Sequence, residues 1–457
     1  MTTTGHATFV GAVEPADNRP QSIAVVLARG MNLVSSTPVS ALGITLAEGV
    51  AASAEFAKRL FAIGNIVAEQ ERLAQDGDEA GRPARLRESI TLSEQTSRRH
   101  LDKLREVGVG IRTPLEDEFV NVLKFHQFLR ADGGPEPALT FQEDDAQPPV
   151  LWDMFCEGRL TDPLDWRSFW GFRVPISHWR LGSRTARVTL RSGFFAATNE
   201  ELCYAGSEVD HVATKLQLGT RRRTMADYFR DYVRRELNDQ QMQPAEIDAW
   251  LAPEAKRWLF QYLDERCPAG QDPSSWKRRK IVEMFTGTDF VFDILHFACH
   301  AAPDNTAFLS ELQLKVGGEG LALPATLISS DMRVKLENAA SPGPLVFLNA
   351  CSTAEPGPGF QQAGFPKAWI RDRGAVAVLG TVCPVPDYFA HVFALKFYEN
   401  LFGLASEAPA APSTTLGAAF LATRRYFMEQ HRNPLGLAYI LYADKDARLA
   451  TYTAGAA

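Results

Sequence analysis

PLVFLNACST, residues 344–353, is the stretch from which the fold of this chain can be inferred. Its first half is continuously apolar, and a run of this kind is typical of a strand buried on both faces of a parallel sheet. The strand would deliver Asn349, Cys351 and two hydroxyl residues to the carboxyl edge of the sheet. Ligands bind at that edge in open α/β folds, so a thiol there is placed to act as a nucleophile. The other interpretation is that Cys351 is simply a buried small residue.

A second apolar run, FVFDILHFACH at residues 290–300, also ends on a reactive side chain, His300. If both runs are strands of one parallel sheet, His300 and Cys351 leave it at the same edge. An imidazole that takes the proton of a thiol, or holds it as an ion pair, produces a thiolate near neutral pH. The two strands therefore predict the minimum constellation of a cysteine peptidase.

His296 and His300 lie four residues apart, as the ligands of helical zinc motifs do. The glutamate of the HExxH motif is absent, the stretch reads as a strand, and no third ligand is apparent, so we expect no metal and no cofactor. His296 is expected to be a core or supporting residue. Asn349 either braces the loop that carries Cys351 or satisfies the end of its strand, and the sequence leaves both roles open.

The composition places the chain among globular proteins of two or three domains. It has 457 residues, 45% of them hydrophobic, and a formal net charge of -7 with a pI near 5.8. This charge argues against nucleic acid or an anionic membrane as a general partner. The six cysteines form no CxxC pair, and no secretory leader or membrane span is evident. These features predict a cytoplasmic protein without a disulfide framework.

The first part of the chain has a helical pattern after one predicted strand, SIAVVLARGMNLV at residues 22–34. From residue 46 to about 129 apolar residues recur at helical spacing, as Phe56, Leu60, Ile63 and Val67 do. A loop rich in glycine, proline and acidic residues follows at 133–145. We therefore predict a mainly helical N-terminal regulatory or recruitment region at residues 1–140, which is a candidate for binding a regulatory protein or complex.

The segment 92–111 of this region superficially resembles the recognition helix of a winged-helix DNA-binding domain. The acidic chain favours an ordinary surface helix with Leu101 and Leu104 packed inward.

Beyond the loop, strand and helix patterns alternate through residues 141–457. A long, charged insertion at about 220–276 interrupts them, and we expect it to pack outside the sheet. After Cys351 the pattern predicts a helix at 364–373, a strand at 374–382 and a helix from Tyr388. Phe389, Phe393, Phe397 and Leu401 line that helix, which Gly403 is expected to end. A strand at 437–442 closes the domain.

Three motifs together carry a resemblance to a known family. HFACHA (296–301), LVFLNACSTA (345–354) and GAVAVLGTVCPVPDYFAHVFALKFYENLFG (374–403) resemble the CHAT family of caspase-like cysteine peptidases, relatives of caspases and separase. LWDMF (151–155) and NPLGLAYILYAD (433–444) resemble further segments of the family more weakly, so the resemblance extends over about 140–457. It implies a caspase-like three-layer α/β/α domain at 141–457 with a central, mostly parallel sheet.

The resemblance also assigns roles to residues. It makes Cys351 the nucleophile and His300 the general acid/base, with the backbone N–H groups of Ala301 and Cys351 forming the oxyanion hole. Ala301 replaces the glycine that usually follows the histidine, and Pro384 stands near the usual tryptophan. Alanine keeps the N–H but has fewer backbone conformations open to it, so activity that is weak or tightly regulated would fit this departure.

The expected function is therefore a cysteine endopeptidase that cuts a dedicated protein substrate. Bacterial peptidases that resemble this one often act in antiviral defence or programmed death, for example by cutting a gasdermin-like pore former. The alternative is a catalytically silent caspase-like module that binds or scaffolds other proteins. The presence of both His300 and Cys351 argues against the silent module, and the replacement at Ala301 argues mildly for it.

Two readings of the substrate pocket follow from residues 374–387. Asp387 would pair with a basic side chain if its carboxylate lines the pocket, and would favour arginine over lysine. The other reading, slightly favoured by the sequence, is that Asp387 caps the helix that begins at Tyr388. It would then leave an apolar pocket formed by residues such as Val382 and Val385.

Overall fold

The computed structural model describes most of the chain. The described residues are 5–11, 23–29, 32–39, 46–76, 78–112, 138–143, 150–180, 188–189, 193–199, 201–216, 218, 222–239, 241–251, 263, 265–273, 275–277, 279–280, 292–304, 309–316, 319–325, 343–350, 365–372, 374–403, 415–443 and 449–450. Cys351 lies outside them.

The described strands form one large sheet and two small ones. In chain order they are Gly5–Gly11 (β1), Ile23–Arg29 (β2), Asn32–Val39 (β3), Ala138–Glu143 (β4), Ile176–Arg180 (β5), Val188–Thr189 (β6), Phe194–Thr198 (β7), Arg222–Thr224 (β8), Ile294–Ala298 (β9), His300–Asp304 (β10), Leu309–Val316 (β11), Glu319–Pro324 (β12), Leu345–Asn349 (β13), Ala377–Thr381 (β14), Tyr439–Ala443 (β15) and Leu449–Ala450 (β16). The large sheet has the order β3-β2-β1-β4-β5-β15-β14-β13-β9-β7-β8. The small sheets are β10-β11-β12 and β16-β6.

The centre of the large sheet is parallel and apolar, as the sequence predicts. Every residue of β9, β13, β14 and β15 is buried. Strands β7, β9, β13 and β14 run parallel to one another, while β15 runs antiparallel to β14 and parallel to β5. Continuous apolar strands need cover on both faces, so helices must lie above and below this sheet.

The described helices provide that cover. They are Leu46–Gln75 (α1), Arg82–Ser89 (α2), Glu94–Arg112 (α3), Trp170–Arg173 (α4), Ala205–Lys215 (α5), Met225–Asp239 (α6), Pro244–Trp250 (α7), Phe365–Lys367 (α8, continued by a π-helical turn, Ala368–Asp372), Asp387–Phe402 (α9) and Leu416–His431 (α10). Neighbouring residues of β9 show the two layers, because their side chains point to opposite faces. His296 meets Tyr398 of α9, whereas Phe297 meets Trp369 of the π-helical turn. In the described residues, the predicted three-layer α/β/α arrangement with a mostly parallel central sheet is confirmed.

Helices dominate the N-terminal region, where α1, α2 and α3 lie. Phe56, Leu60, Ile63 and Val67 are all buried along α1, as their spacing predicts. Leu101 and Leu104 of α3 also point inward, in agreement with an ordinary packed helix. The single strand predicted at 22–34 is instead shared between β2 and β3, which pair antiparallel and extend the edge of the large sheet through β1.

The insertion at about 220–276 is not wholly outside the sheet, so that expectation was wrong for its first residues. Arg222–Thr224 pairs in parallel with β7 as the edge strand β8. Helix α6 then buries Phe229, Val233 and Leu237 against the core. These residues recur at helical spacing on an otherwise charged segment, and the high average polarity concealed an amphipathic helix.

A buried ion pair fastens the motif LWDMF to the C-terminal helix. The guanidinium of Arg424, on α10, donates to the carboxylate of Asp153 and to the backbone oxygen of Tyr439. His178 of β5 lies 3.0 Å from the same carboxylate. Although burial opposes ionisation, Arg424 and His178 together hold the pKa of Asp153 at about 2. Strand β15 is therefore held to the motif by charge as well as by packing.

Candidate active site

Strands β9 and β13 bring the predicted dyad to one edge of the sheet. They are neighbours, they run parallel, and Ala298 pairs with Asn349 at their carboxyl ends. His300 follows Ala298 by two residues, and Cys351 follows Asn349 by two. Since Cys351 is outside the described residues, the distance between its sulfur and the His300 ring stays a prediction.

His300 is exposed at this edge, where it begins β10. Strand β10 turns away from the large sheet and pairs with β11, and Ala301 is half-buried opposite Leu312. Lys315 of β11 forms a salt bridge with Glu201, with its Nζ atom 2.8 Å from the Oε1 atom of the carboxylate. That bond lowers the pKa of Glu201, and the charge of His300 adds a smaller effect in the same direction. The imidazole of His300 is therefore exposed to solvent and lies near the charged pair formed by Glu201 and Lys315.

Asn349 braces the carboxyl end of β13 against the neighbouring elements. Its side-chain nitrogen donates to Glu208 Oε1 at 2.7 Å and to the backbone oxygen of Ala390 at 3.1 Å. Its side-chain oxygen accepts from the hydroxyl of Tyr439 at 2.6 Å. These partners belong to α5, α9 and β15, so the amide joins three elements rather than closing its own strand end. The loop that carries Cys351 lies outside the described residues, so whether Asn349 also braces that loop stays a prediction.

Glu208 is the centre of a buried polar network that sequence reasoning did not identify. It is 1% exposed, and its Oε1 also lies 2.6 Å from His296 Nε2. The other ring nitrogen of His296 lies 3.0 Å from the hydroxyl of Tyr398. Burial, followed by the charge of Glu208, raises the pKa of Tyr398 well above its usual value, so the phenol keeps its proton and can donate it to His296. His296 is thus a supporting residue of the core, as predicted.

Ala350, immediately before Cys351, is held by a further bond that the sequence did not signal. Its backbone oxygen accepts from the hydroxyl of Thr381 at 2.7 Å, and both residues are buried. Thr381 ends β14, so the neighbouring strand fixes the last described residue before the thiol.

A cavity of about 100 Å³ opens at this edge of the sheet. Several predicted site residues share its lining, namely His300, Asn349, Val385 and Asp387, together with Ala350 and Glu208. Val382 is not among the residues that line this cavity, and its side chain is buried in the core.

Asp387 does not cap its own helix, so the slightly favoured reading of this residue was wrong. Helix α9 has no side-chain cap from its own first residues. The carboxylate instead accepts from the backbone N–H of Tyr204, just before α5, at 3.1 Å. Burial raises the pKa of Asp387 to about 6, although the N–H groups of Tyr204 and Cys203 oppose the shift. A half-buried carboxylate therefore lines the cavity beside His300.

Other kinds of site are not indicated by the described part of the chain. It contains no cluster of three or more histidine, cysteine, aspartate or glutamate side chains arranged to hold a metal ion. Within the same residues, no helix combines the length and the hydrophobicity that a membrane span requires.

Comparison with known proteins identifies the region around this edge. Residues 277–425 match the family model of the CHAT domain, which confirms the resemblance noted in the sequence. A probable protease of Vitiosangium sp. (strain GDMCC 1.1324) is 28% identical over 157 residues, 34% of this chain and 19% of that protein. The chain thus spans about a fifth of the length of this relative. The sequence matches are thus to the CHAT domain and to a probable protease.

Two solved structures to which the chain is similar have low sequence identity to it. The separase–securin complex of Saccharomyces cerevisiae has a TM-score of 0.43 at 9% identity, covering 98% of this chain and 30% of that one. The Arg-specific cysteine proteinase gingipain R has a TM-score of 0.39 at 10% identity, covering 75% and 73%.

Proposed function

We propose that this chain is a cysteine endopeptidase that cuts a dedicated protein substrate with Cys351 as nucleophile and His300 as general acid/base. The observation that carries the proposal is the pairing of β9 with β13, in which Ala298 lies opposite Asn349. His300 is the second residue after Ala298, and Cys351 is the second residue after Asn349. The cavity at that edge, lined by His300 and Ala350, supplies room for a peptide bond.

The reaction uses only groups of this chain and water. The thiolate of Cys351 attacks the peptide carbonyl carbon, and the backbone N–H groups of Cys351 and Ala301 stabilise the oxyanion. His300 gives the proton taken from the thiol to the leaving amine, so the C–N bond breaks and an acyl-enzyme remains. His300 then takes a proton from water, and the resulting hydroxide attacks the acyl carbon, so that the C–S bond breaks and the acyl group leaves as a carboxylic acid. The Cys351 thiolate regains its proton from His300.

The pocket for the residue before the scissile bond is proposed to contain Asp387. Its carboxylate lines the cavity and is not used to cap its own helix. A guanidinium bound to this partly desolvated carboxylate would replace the hydrogen bonds to water that burial has removed. Arginine is better suited than lysine, because its planar guanidinium can donate two parallel hydrogen bonds to one carboxylate. A peptide library compares the native protein with Asp387→Ala. Cleavage after arginine should dominate for the native protein and be lost in the variant, whereas an unchanged preference would contradict the assignment.

The wider setting of this activity is proposed from the family resemblance. The peptidase would act in the cytoplasm, in a bacterial defence or programmed-death pathway, on one protein such as a gasdermin-like pore former. The predicted division at about residue 140 would give the N-terminal region a regulatory or recruitment role.

Labelling with an electrophile tests the central claim and separates it from the silent module. The probe is an acyloxymethyl ketone that carries arginine, and peptide mass spectrometry locates the modified thiol. We expect modification of Cys351, its loss in Cys351→Ala and a marked slowing in His300→Ala. Cys203 is an exposed thiol, so Cys203→Ala is the control that should leave labelling of Cys351 unchanged. A native protein that is folded but unlabelled at Cys351 would instead support the binding or scaffolding module.

A further inference from the structure

The N-terminal helix α1 places a carboxylate at the start of α9, the helix that carries Asp387. Glu71 is 5% exposed, and its two oxygens accept from the backbone N–H groups of Tyr388 at 3.1 Å and Phe389 at 2.8 Å. The first N–H groups of a helix have no partner within the helix and are usually capped by a residue just before it. Here the cap comes from more than 300 positions earlier in the chain.

This cap leaves Asp387 available for another partner. Because Glu71 satisfies the first turn of α9, the carboxylate of Asp387 can turn to Tyr204, at the start of α5. Helix α5 in turn carries Glu208, which holds Asn349. Hydrogen bonds, and the short stretches of α9 and α5 between them, therefore connect α1 to Asn349, two positions before Cys351.

Packing and charge place α1 close to this wall. A Cβ atom added at Gly64 of α1 would lie 3.2 Å from the backbone oxygen of Pro384, so the helix approaches the loop before α9 closely. Gln75 lies 3.4 Å from the hydroxyl of Tyr204. Burial raises the pKa of Glu71 to about 8. The charge of Asp387 contributes to this increase, whereas the hydrogen bonds from the two backbone N–H groups oppose it. The carboxyl group of Glu71 therefore lies within electrostatic reach of Asp387, which lines the cavity.

We propose that Glu71 is a positioning residue for the substrate pocket, so that helix α1 controls how well Asp387 receives a basic side chain. The proposal rests on the proposed peptidase function and deepens it, because it names the element through which the N-terminal region acts on the site. Displacement of α1 by a regulatory protein would loosen the start of α9 and with it the carboxylate of Asp387. The hydrogen bonds provide the physical connection that such control requires.

Kinetics of three variants test the proposal. Glu71→Ala removes the cap, Glu71→Gln keeps one accepting oxygen, and Glu69→Ala changes an exposed carboxylate on the same turn of α1. The readout is kcat/KM for matched peptides with arginine or norleucine before the cleaved bond. We expect the arginine preference of Glu71→Ala to fall by about tenfold through KM, that of Glu71→Gln to fall less, and that of Glu69→Ala to stay unchanged. Equal losses for both peptides through kcat would overturn the positioning role.

Amide hydrogen exchange decides the same question without cleavage. Glu71→Ala should speed exchange at Tyr388 and Phe389, which lose the cap, and also at Tyr204, whose partner Asp387 is released. An unchanged rate at Tyr204 would overturn the inference, whether or not the protein cleaves peptides. If the native protein cleaves nothing while Tyr204 responds, the proposed peptidase function fails and the connection from α1 to Asp387 stands. Glu71→Gln serves the same comparison if the alanine variant does not fold.

Discussion

The brace formed by Asn349 makes a quantitative prediction. Replacing Asn349 with alanine removes two donated hydrogen bonds and one accepted bond, and leaves Glu208, the oxygen of Ala390 and the hydroxyl of Tyr439 short of a partner in the core. A bond to a charged group contributes about 1.5–3 kcal/mol and each neutral bond about 0.5–1.5 kcal/mol. Because such contributions are not additive within one network, we expect the free energy of unfolding to fall by about 3 kcal/mol.

Urea denaturation followed by circular dichroism measures this loss. A double-mutant cycle with Glu208→Gln separates the shared bond from the rest, and we expect an interaction energy of about 1 kcal/mol or more. Asn349→Asp preserves the shape but places a second carboxylate beside Glu208, so it should be at least as destabilising at pH 7. A loss below about 1 kcal/mol for Asn349→Ala, or strictly additive variants, would refute the reasoning.

The same variant should affect activity beyond its effect on stability. Cys351 follows Asn349 by two residues, and displacement of a reacting group by about 1 Å can reduce the rate about a hundredfold. We therefore expect Asn349→Ala to lower kcat under conditions in which the variant is fully folded. A folded variant with normal kcat would show that the brace serves stability alone.

Three further predictions concern the charged groups. The pKa of Asp387 is raised to about 6, so the carboxyl gains its proton as the pH falls through 6. The preference for arginine over norleucine peptides should therefore fall from pH 8 to pH 5, and a constant ratio of the two kcat/KM values would contradict the role of Asp387 in binding arginine. Arg424→Met leaves Asp153 buried without its cation and should cost about 3–5 kcal/mol of unfolding free energy in urea; Arg424→Met combined with Asp153→Asn should recover part of it, and a single-variant loss near zero would contradict the ion pair. The folded state raises the pKa of Glu71 from 4.5 to about 8, so ionisation of this carboxyl opposes folding. The unfolding free energy of the native protein relative to Glu71→Gln should therefore decline as the pH rises from 4.5 to 8. Equal differences in unfolding free energy at pH 5, 7 and 9 would argue against this pKa shift.

Local patterns were sufficient to predict the elements that carry the site. The two apolar runs are adjacent parallel strands, and because their residues are predominantly apolar, every residue of β9 and β13 is buried. The helix lined by Phe389, Phe393, Phe397 and Leu401 ends as expected at Gly403, whose φ of 68° lies in the left-handed region that glycine adopts readily. In these segments the spacing of residues alone decides which face is buried.

Interactions between distant residues could not be predicted in this way. Asp387 has the sequence context of a helix cap, but Glu71 occupies that position from another helix. Glu208 is one acidic residue on a short helix, and only the packed fold brings Asn349 and His296 to it. A single sequence shows which residues can accept hydrogen bonds, whereas the choice of partner depends on how the layers pack.

The position of β15 has a consequence for how the protein is made. Among the eleven strands of the large sheet, β15 is the last in chain order, yet it lies between β5 and β14 in the interior. Until β15 has been synthesised, β5 and β14 each have an edge without its partner strand, and such edges are sites for aggregation and for chaperone binding. Tyr439 of β15 donates its hydroxyl to Asn349, so this part of the brace forms only after β15 has been made. The last strand of the large sheet to be synthesised therefore completes the hydrogen bonds at the end of β13, and an early error in strand pairing would leave Asn349 without this bond.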